Sequence, residues 1–370
     1  MLKVGIVGLP NVGKSSLFNA LTAQGAPSEN YPFCTVEPNV GMVEVPDARL
    51  DRIHELMQSK SRVPTMIQFV DIAGLVKGAS EGEGLGNKFL GNIREVDAVA
   101  HVLRCFDDPD VTHVLGEVDP VRDREIVETE LALADLETVE RRLERVSKKA
   151  KSGDKEAVRE QAVLERCMAV LTEGEPIRAL ALNDEEHRIL RGFQLLTSKP
   201  VLYVANVAED DLPEGVNAWT EQLRAAIAED DPGAREDEAM VAICSAIESE
   251  LAELEPDERD AFLEDLGLAE TGLNRLIRAA YDLLGLQTFF TTGENESRAW
   301  TIRAGSTASQ AAGTIHTDFE RGFIKAETIH FDDFVDVGSW REAKEKGRLR
   351  QEGRDYAVAD GDIMLFRFNV

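Results

Sequence analysis

The stretch GLPNVGKSSLFNAL at residues 8–21 constrains the fold more than any other part of the chain, because it follows directly on the apolar run Lys3–Val7 and leads into a helical pattern. Gly8, Gly13, Lys14 and Ser15 satisfy GxxxxGKS/T in the order strand, loop, helix. Glycines at those places let backbone N–H groups converge on phosphate oxygens at the start of a helix. Lys14 then neutralises the β and γ oxygens, and the Ser15 hydroxyl is placed to ligate Mg2+.

A loop of this kind requires a metal-holding carboxylate at the end of a second buried strand, with a glycine behind it that can meet the γ-phosphate. Met66–Val70 supplies the strand and DIAG supplies Asp71 and Gly74. Between the two motifs, NYPFCTVEP sets Thr35 in a proline-punctuated loop, where a hydroxyl can close over Mg2+ and the γ-phosphate. Apolar runs at Val99–Phe106, Pro200–Val207 and Met240–Cys244 alternate with helical patterns. The predicted class is α/β, a P-loop GTPase-like, doubly wound, mainly parallel sheet with ligands at the strand C-termini. The third run ends in NVAE, residues 206–209, where a guanine-binding protein carries NKxD, and the fourth ends in Ser245 and Ala246, equivalent to a base-contacting SA turn. Val207 replaces the lysine that covers the base, and Glu209 replaces the aspartate that accepts from guanine. The extra methylene displaces the carboxylate, and one lost charge-assisted hydrogen bond costs about 1.5–3 kcal/mol, so guanine selectivity is weakened. Adenine recognition does not follow from chemistry alone, because adenine N1 is an acceptor that a carboxylate repels. Glu209 must turn away, or leave the reading to Asn206 and the backbone around Val207.

A chain of 370 residues holds two or three domains, and its net charge of −28 excludes general attraction to nucleic acid or an anionic membrane. The acidic excess, with Arg outnumbering Lys, also suits a salty cell interior. Against that background Arg141, Arg142, Arg145, Lys148, Lys149, Lys151 and Lys155 form a local basic cluster, as an RNA-directed contact requires. They fall at the tip of a predicted antiparallel helical hairpin. Its first arm carries Ala132, Leu136, Val139, Leu143 and Val146 at alternating spacings of four and three, Ser152-Gly153-Asp154 breaks the pattern, and Ala157, Leu164, Met168 and Leu171 resume it. After a helix over Gly272–Leu284 come strand-like runs at Arg298–Ile302, Phe323–Phe331 and Ile363–Phe368 and a single predicted helix at Ser309–Arg321, the pattern of a ubiquitin-like β-grasp. The expected domains are 1–128 with 199–284 for the nucleotide, 129–198 for the hairpin and 285–370 for the β-grasp. Cys34, Cys105, Cys167 and Cys244 have no metal-ligand spacing and read as reduced thiols, with Cys34 a redox-sensing alternative. The start MLKVGIVGLP lacks the features of a signal peptide, and no run of eighteen apolar residues occurs, so the expected location is the cytoplasm, with no membrane partner.

The segments GLPNVGKS, YPFCTVEPN, FVDIAGLVKGASEGEGLGNKFL, NVAE and RAWTIRAGSTASQAAGTIHTDFERGFIKAE together resemble the YchF family of Obg-like ATPases across nearly the entire chain. The resemblance implies a GTPase-like fold that prefers ATP, a coiled-coil insertion, a TGS domain at the C-terminus, and association with ribosomes. On that basis the hairpin tip and TGS domain are expected to meet the large subunit or its RNA. It carries the nucleotide site onto Asn11, Val12, Gly13, Lys14, Ser15 and Ser16, with Mg2+ at Ser15 and Thr35, and assigns adenine reading to the NVAE segment with Val207 near the base. Leu75 stands where many GTPases carry a water-orienting Gln, so hydrolysis is slow until a partner binds, or another group acts. His113, in a loop after a strand, is the candidate side chain, and Asn11 the candidate for holding K+ against the phosphates. The glycine-dense segment 78–89 reads as one ordered by the γ-phosphate. The alternatives are a GTPase of relaxed base choice and a nucleotide-gated binding module with incidental turnover.

Overall fold

The first sheet is built on β1 (Lys3–Val7), whose side chains from Val4 onward are buried, and it runs in the order β2-β4-β1-β5-β6-β7. Its other strands are β2 (Val40–Glu44), β4 (Met66–Asp71), β5 (Ala98–Arg104), β6 (Val201–Asn206) and β7 (Met240–Ile243). The pairs β1–β4, β1–β5, β5–β6 and β6–β7 are all parallel, so each needs a crossover connection between its strands. This computed structural model describes residues 2–23, 39–72, 85–230 and 239–369. Thr35, Gly74, Leu75, Cys34 and residues 78–84 lie outside them.

The described residues group into two compact units, Met1–Val43 with Gln68–Ala280, and Glu44–Ile67 with Tyr281–Val370. This differs from the sequence expectation in two ways. The hairpin belongs to the first unit rather than standing alone, and residues 44–67 belong with the C-terminal segment rather than the nucleotide domain. The reason lies in β3 (Ser61–Val63), which pairs in parallel with β9 (Glu296–Arg303), and in α2 (Ala48–Met57), whose Leu50 and Ile53 are core residues there.

In the first unit, α1 (Lys14–Ala23) packs against α8 (Ser245–Glu253). The hairpin is α4 (Pro120–Ala150) against α5 (Lys155–Thr172), with Ala132, Val139, Val146, Leu164 and Leu171 buried between them as the spacing predicts, Leu136, Leu143 and Met168 partly buried, and Cys167 buried in addition. Asp119 and Asp154 cap the two arms. Midway along α4, the fully buried Asp135 accepts from Leu196 N at 2.8 Å, Thr197 N at 2.7 Å and Thr197 Oγ1 at 2.7 Å, fixing the return segment to the hairpin.

The second unit has the sheet order β11-β10-β12-β8-β9-β3, with β8 (Leu286–Thr292), β10 (Phe323–His330), β11 (Arg350–Glu352) and β12 (Asp362–Phe368). Strand alternation sends Phe289 into a core with Ala308, Ala312, Phe323 and Phe366, and Phe290 into a second core with Leu50, Phe334 and Ile363. The helix expected at Ser309–Arg321 is two, α11 (Ala308–Ile315) and α12 (Thr317–Arg321). His316 is extended at φ −161 and its Nδ1 accepts from Asp318 N at 3.1 Å, so its side chain offers a cap where a continuous helix needs the backbone. Phe331, expected in a strand, opens α13 (Phe331–Val337).

Replacing Asp135 with Ala leaves two N–H groups and a hydroxyl buried without their acceptor, and is expected to lower stability by roughly 2–4 kcal/mol in urea unfolding. A loss below about 0.5 kcal/mol, typical of surface positions, would contradict this account of the hairpin base.

Candidate nucleotide site

The loop after β1 is set by two glycines with no room for a side chain. Gly8 sits at φ +152, and a Cβ there would lie 2.4 Å from Val102 O. Gly13 sits at φ +98, and its Cβ would meet Asn206 Nδ2 at 2.2 Å and Ser245 Oγ at 2.9 Å. Asn11 takes the left-handed region at φ +62, which its short polar side chain tolerates, and donates from Nδ2 to Thr112 O at 3.1 Å. Val12 is buried beneath, while Ser15 and Ser16 are exposed in the first turn of α1. That turn carries no acidic residue, so nothing in it repels phosphate.

Lys14 Nζ donates to Leu9 O at 2.6 Å and is almost wholly buried. Burial pulls its pKa down to about 8, with the Asp71 carboxylate opposing the shift. Burial likewise pushes Asp71 upward, and Lys14 opposes it. Asp71, half-buried at the end of β4, and the exposed Ser15 hydroxyl are hard oxygen donors of the kind Mg2+ takes together with phosphate oxygens and water. They fit a metal carried in with the nucleotide. Among the described residues no cluster of three or more His, Cys, Asp or Glu could hold a metal by itself.

At the base end the structure redistributes the expected roles. Asn206 is buried, donates from Nδ2 to Val12 O at 2.9 Å and accepts at Oδ1 from Ser245 N at 3.0 Å. It joins the phosphate loop to the start of α8, and the side-chain groups the sequence suggested for base reading are turned to the protein's own backbone. Val207 is 2% exposed and packs with Leu103, Tyr203, Ala205 and Leu223, so its side chain lies in the core, where the sequence reading set it beside the base. Its N–H donates to Ile243 O at 2.9 Å. Glu209 is exposed at the start of a 3-10 turn, Glu209–Asp211. Ser245 opens α8 with its hydroxyl beside Gly13.

His113 is also placed differently from expectation. It is 4% exposed, its Nε2 is 2.8 Å from the fully buried Asp123 Oδ2, and its Nδ1 accepts from Leu115 N at 3.2 Å. An Nδ1 that accepts sets the proton on Nε2, facing Asp123. The ring holds the loop together and has neither nitrogen turned outward to a water. The same loop is gathered by Arg104, which is 1% exposed and donates to the carbonyls of Phe106 at 3.0 Å, Val111 at 2.7 Å and Asp108 at 3.3 Å.

Sequence reasoning missed Arg104 and two residues beyond NVAE, Asp211 and Asn217. Asn217 caps α7 (Ala218–Asp230), accepting from Thr220 N at 2.9 Å. The spacing NAWT carried that signal, an Asn three residues before a Thr at a helix start. At the hairpin tip, Arg141 pairs with Glu137 at 3.4 Å, Lys148 with Glu144 at 3.5 Å, and Arg142 with Glu160, while Arg145, Lys149, Lys151 and Lys155 are exposed. Cys105, Cys167 and Cys244 are buried thiols. No described helix is long and apolar enough to cross a membrane.

Residues 3–134 match the family described as 50S ribosome-binding GTPase, and residues 286–369 match the YchF GTPase C-terminal family, described as a protein of unknown function. The ribosome-binding ATPase YchF of Escherichia coli O157:H7 is 55% identical over 368 residues, covering 100% of this chain and 99% of the relative. Its counterpart in Bacillus subtilis is 53% identical over 371 residues and the full length of both, and Obg-like ATPase 1 of Rattus norvegicus is 45% identical over 100% of this chain and 92% of its own. The solved YchF GTPase of Schizosaccharomyces pombe superposes with a TM-score of 0.88 at 40% identity, covering 99% of this chain and 97% of that one.

The lowered pKa of Lys14 gives the site a pH dependence with a definite sign. Phosphate requires the charged amine, and the unliganded protein loses that proton above about 8. Affinity for a triphosphate is therefore expected to hold from pH 7 to about 8 and to fall by up to about tenfold per pH unit beyond it. Lys14→Arg, which stays charged, should bind more weakly at pH 7 but flatten the curve. A fluorescent-nucleotide titration between pH 7 and 9.5 reads both, and equal slopes in the two proteins would contradict the assignment.

Proposed function

The chain belongs to the YchF family, and from that premise we propose that it is a Mg2+-dependent P-loop ATPase, a switch that hydrolyses ATP to ADP and phosphate and associates with the ribosome in the cytoplasm. The observation that argues against a guanine site is the base turn after β6, where Val207 is buried and Glu209 exposed, so the lysine cover and short carboxylate of a guanine reader are both missing; the choice of adenine comes from the family. The names of the bacterial relatives and of the rat relative support the same conclusion.

In this reading the loop N–H groups from Asn11 to Ser16 and Lys14 bind and orient the phosphates. Ser15, Thr35 and Asp71 would hold Mg2+, which when bound neutralises charge on the β and γ oxygens. Gly74 is the γ-phosphate contact. Leu75 follows it in the sequence where many GTPases carry a water-orienting Gln, and His113 is tied to Asp123 and Leu115, so in this reading basal turnover is slow and association with the ribosome accelerates it. Asn11 keeps its amide nitrogen on Thr112, leaving the carbonyl oxygen as the end that would meet K+. The exposed lysines and arginines at the hairpin tip are the contact to ribosomal RNA of the large subunit, a local attraction inside a net charge of −28. The C-terminal unit, read as a TGS domain, is the second contact.

Competition of ATP and GTP for the nucleotide-free protein, with Mg2+ present, tests the reading. ATP should win by roughly tenfold or more, from the loss of one charge-assisted hydrogen bond to guanine. Equal binding would support a GTPase of relaxed choice instead. For the partner, changing Arg145, Lys149 and Lys151 together to Gln should weaken ribosome co-sedimentation and lower its salt dependence, and unchanged binding would remove the tip from the interface.

A further inference from the structure

The turn that follows β6 is held by a side-chain clamp outside the NVAE tetrapeptide. Asn217 Nδ2 donates both its hydrogens, one to Asp211 Oδ2 and one to Cys105 O, each at 2.8 Å. The same Asp211 Oδ2 accepts from Ala208 N at 3.3 Å, inside the turn itself. Asp211 O accepts from Gly215 N at 2.7 Å, which closes the segment between the two side chains. Cys105, at the end of β5, donates from its N–H to Asn206 O at 2.8 Å. One asparagine thus ties together the ends of β5 and β6, the 3-10 turn that carries Glu209, and the first turn of α7.

The arrangement is more than a helix cap. Capping needs only Asn217 Oδ1, which accepts from Thr220 N at 2.9 Å, while Asn217 N donates to Thr220 Oγ1 at 2.8 Å. The two amide hydrogens are surplus to that task, and both point back at the turn and at the strand beside it. The phosphate loop is held separately, by Asn206 on Val12 O and by Lys14 on Leu9 O. The two ends of the nucleotide site therefore rest on different side chains, joined through the backbone bond from Cys105 N to Asn206 O.

We propose that Asn217, acting with Asp211, is a positioning residue for base selection, fixing the Val207–Asp211 turn so that its backbone meets adenine in one geometry, with the Glu209 carboxylate held away from N1. The inference rests on the ATPase reading above. It assigns to Asn217 and Asp211 the part of ATP affinity that comes from the base and none of the part that comes from the triphosphate.

Asn217→Asp separates this role from capping. Aspartate is an equally good cap, but it replaces the two donors with an acceptor that faces the Asp211 carboxylate and the Cys105 carbonyl. Wild-type, Asn217→Asp and Asp211→Ala proteins are titrated with Mg–ATP, Mg–GTP and Mg–inorganic triphosphate, with urea unfolding as the check on fold. In both variants ATP affinity should fall roughly tenfold and the preference over GTP should shrink, while triphosphate affinity stays within about twofold. KM for ATP should rise with kcat nearly unchanged. If Asn217→Asp does not fold, Asp211→Ala carries the same comparison. A variant that keeps the wild-type ratio of ATP to triphosphate affinity, or that loses both in equal proportion, would overturn the proposal. A wild-type protein that binds ATP no better than GTP overturns the ATPase reading itself, and the variants are not needed to see it.

Discussion

Asn206 is the point on which the nucleotide site depends. A single buried amide donates to Val12 O at 2.9 Å and accepts from Ser245 N at 3.0 Å, with Gly13 close enough that no larger residue fits between. The phosphate loop, the end of β6 and the start of α8 are therefore fixed by one buried group, and an unmatched buried donor or acceptor costs about 1–3 kcal/mol. The positive φ of Gly8, Asn11 and Gly13 follows from this closure, because the chain must turn tightly enough to bring Val12 O within reach of β6.

A second constraint comes from connectivity. The chain leaves the first sheet after β2, gives residues 44–67 to the C-terminal unit, and returns through β4 to reach Asp71. In the second unit those residues are secured by Leu50 and Ile53 in the core and by Arg49, which donates to Asp360 Oδ2 at 2.6 Å and to Asp47 Oδ2 at 2.8 Å. Asp71 and Thr35, the proposed Mg2+ ligands, are thus separated in sequence by a helix and strand that belong to another unit.

The phosphate loop was legible in the sequence because its spacing is covalent: four residues between Gly8 and Gly13 leave few alternatives. The sheet was legible for a related reason, since runs such as Val201–Asn206 are too apolar for an exposed element. NVAE was located correctly at a strand end, but the roles of its side chains were not, and strand alternation explains why. Tyr203, Ala205 and Val207 share one face and enter the core, while Val204 and Asn206 face Leu17 of α1. The period of two carried that information, and the analogy with a base-covering lysine pointed the other way. His113 was misplaced because its partner is Asp123, a side chain on a helix ten residues on, and no local pattern reports such a contact. The grouping of residues 44–67 with the C-terminal segment was not legible, because strand addition of Ser61–Val63 to β9 spans more than two hundred residues of chain.

The central claim is that Asn206 supports the phosphate loop and that base choice is made elsewhere in the turn. Titration of Asn206→Ala with Mg–ATP and with Mg–inorganic triphosphate tests it most directly. The account predicts that both affinities fall together, by roughly tenfold or more, because the lost bonds hold the cradle and not the base. Wild-type affinity for triphosphate alongside a loss confined to ATP would make Asn206 a base reader and would contradict it.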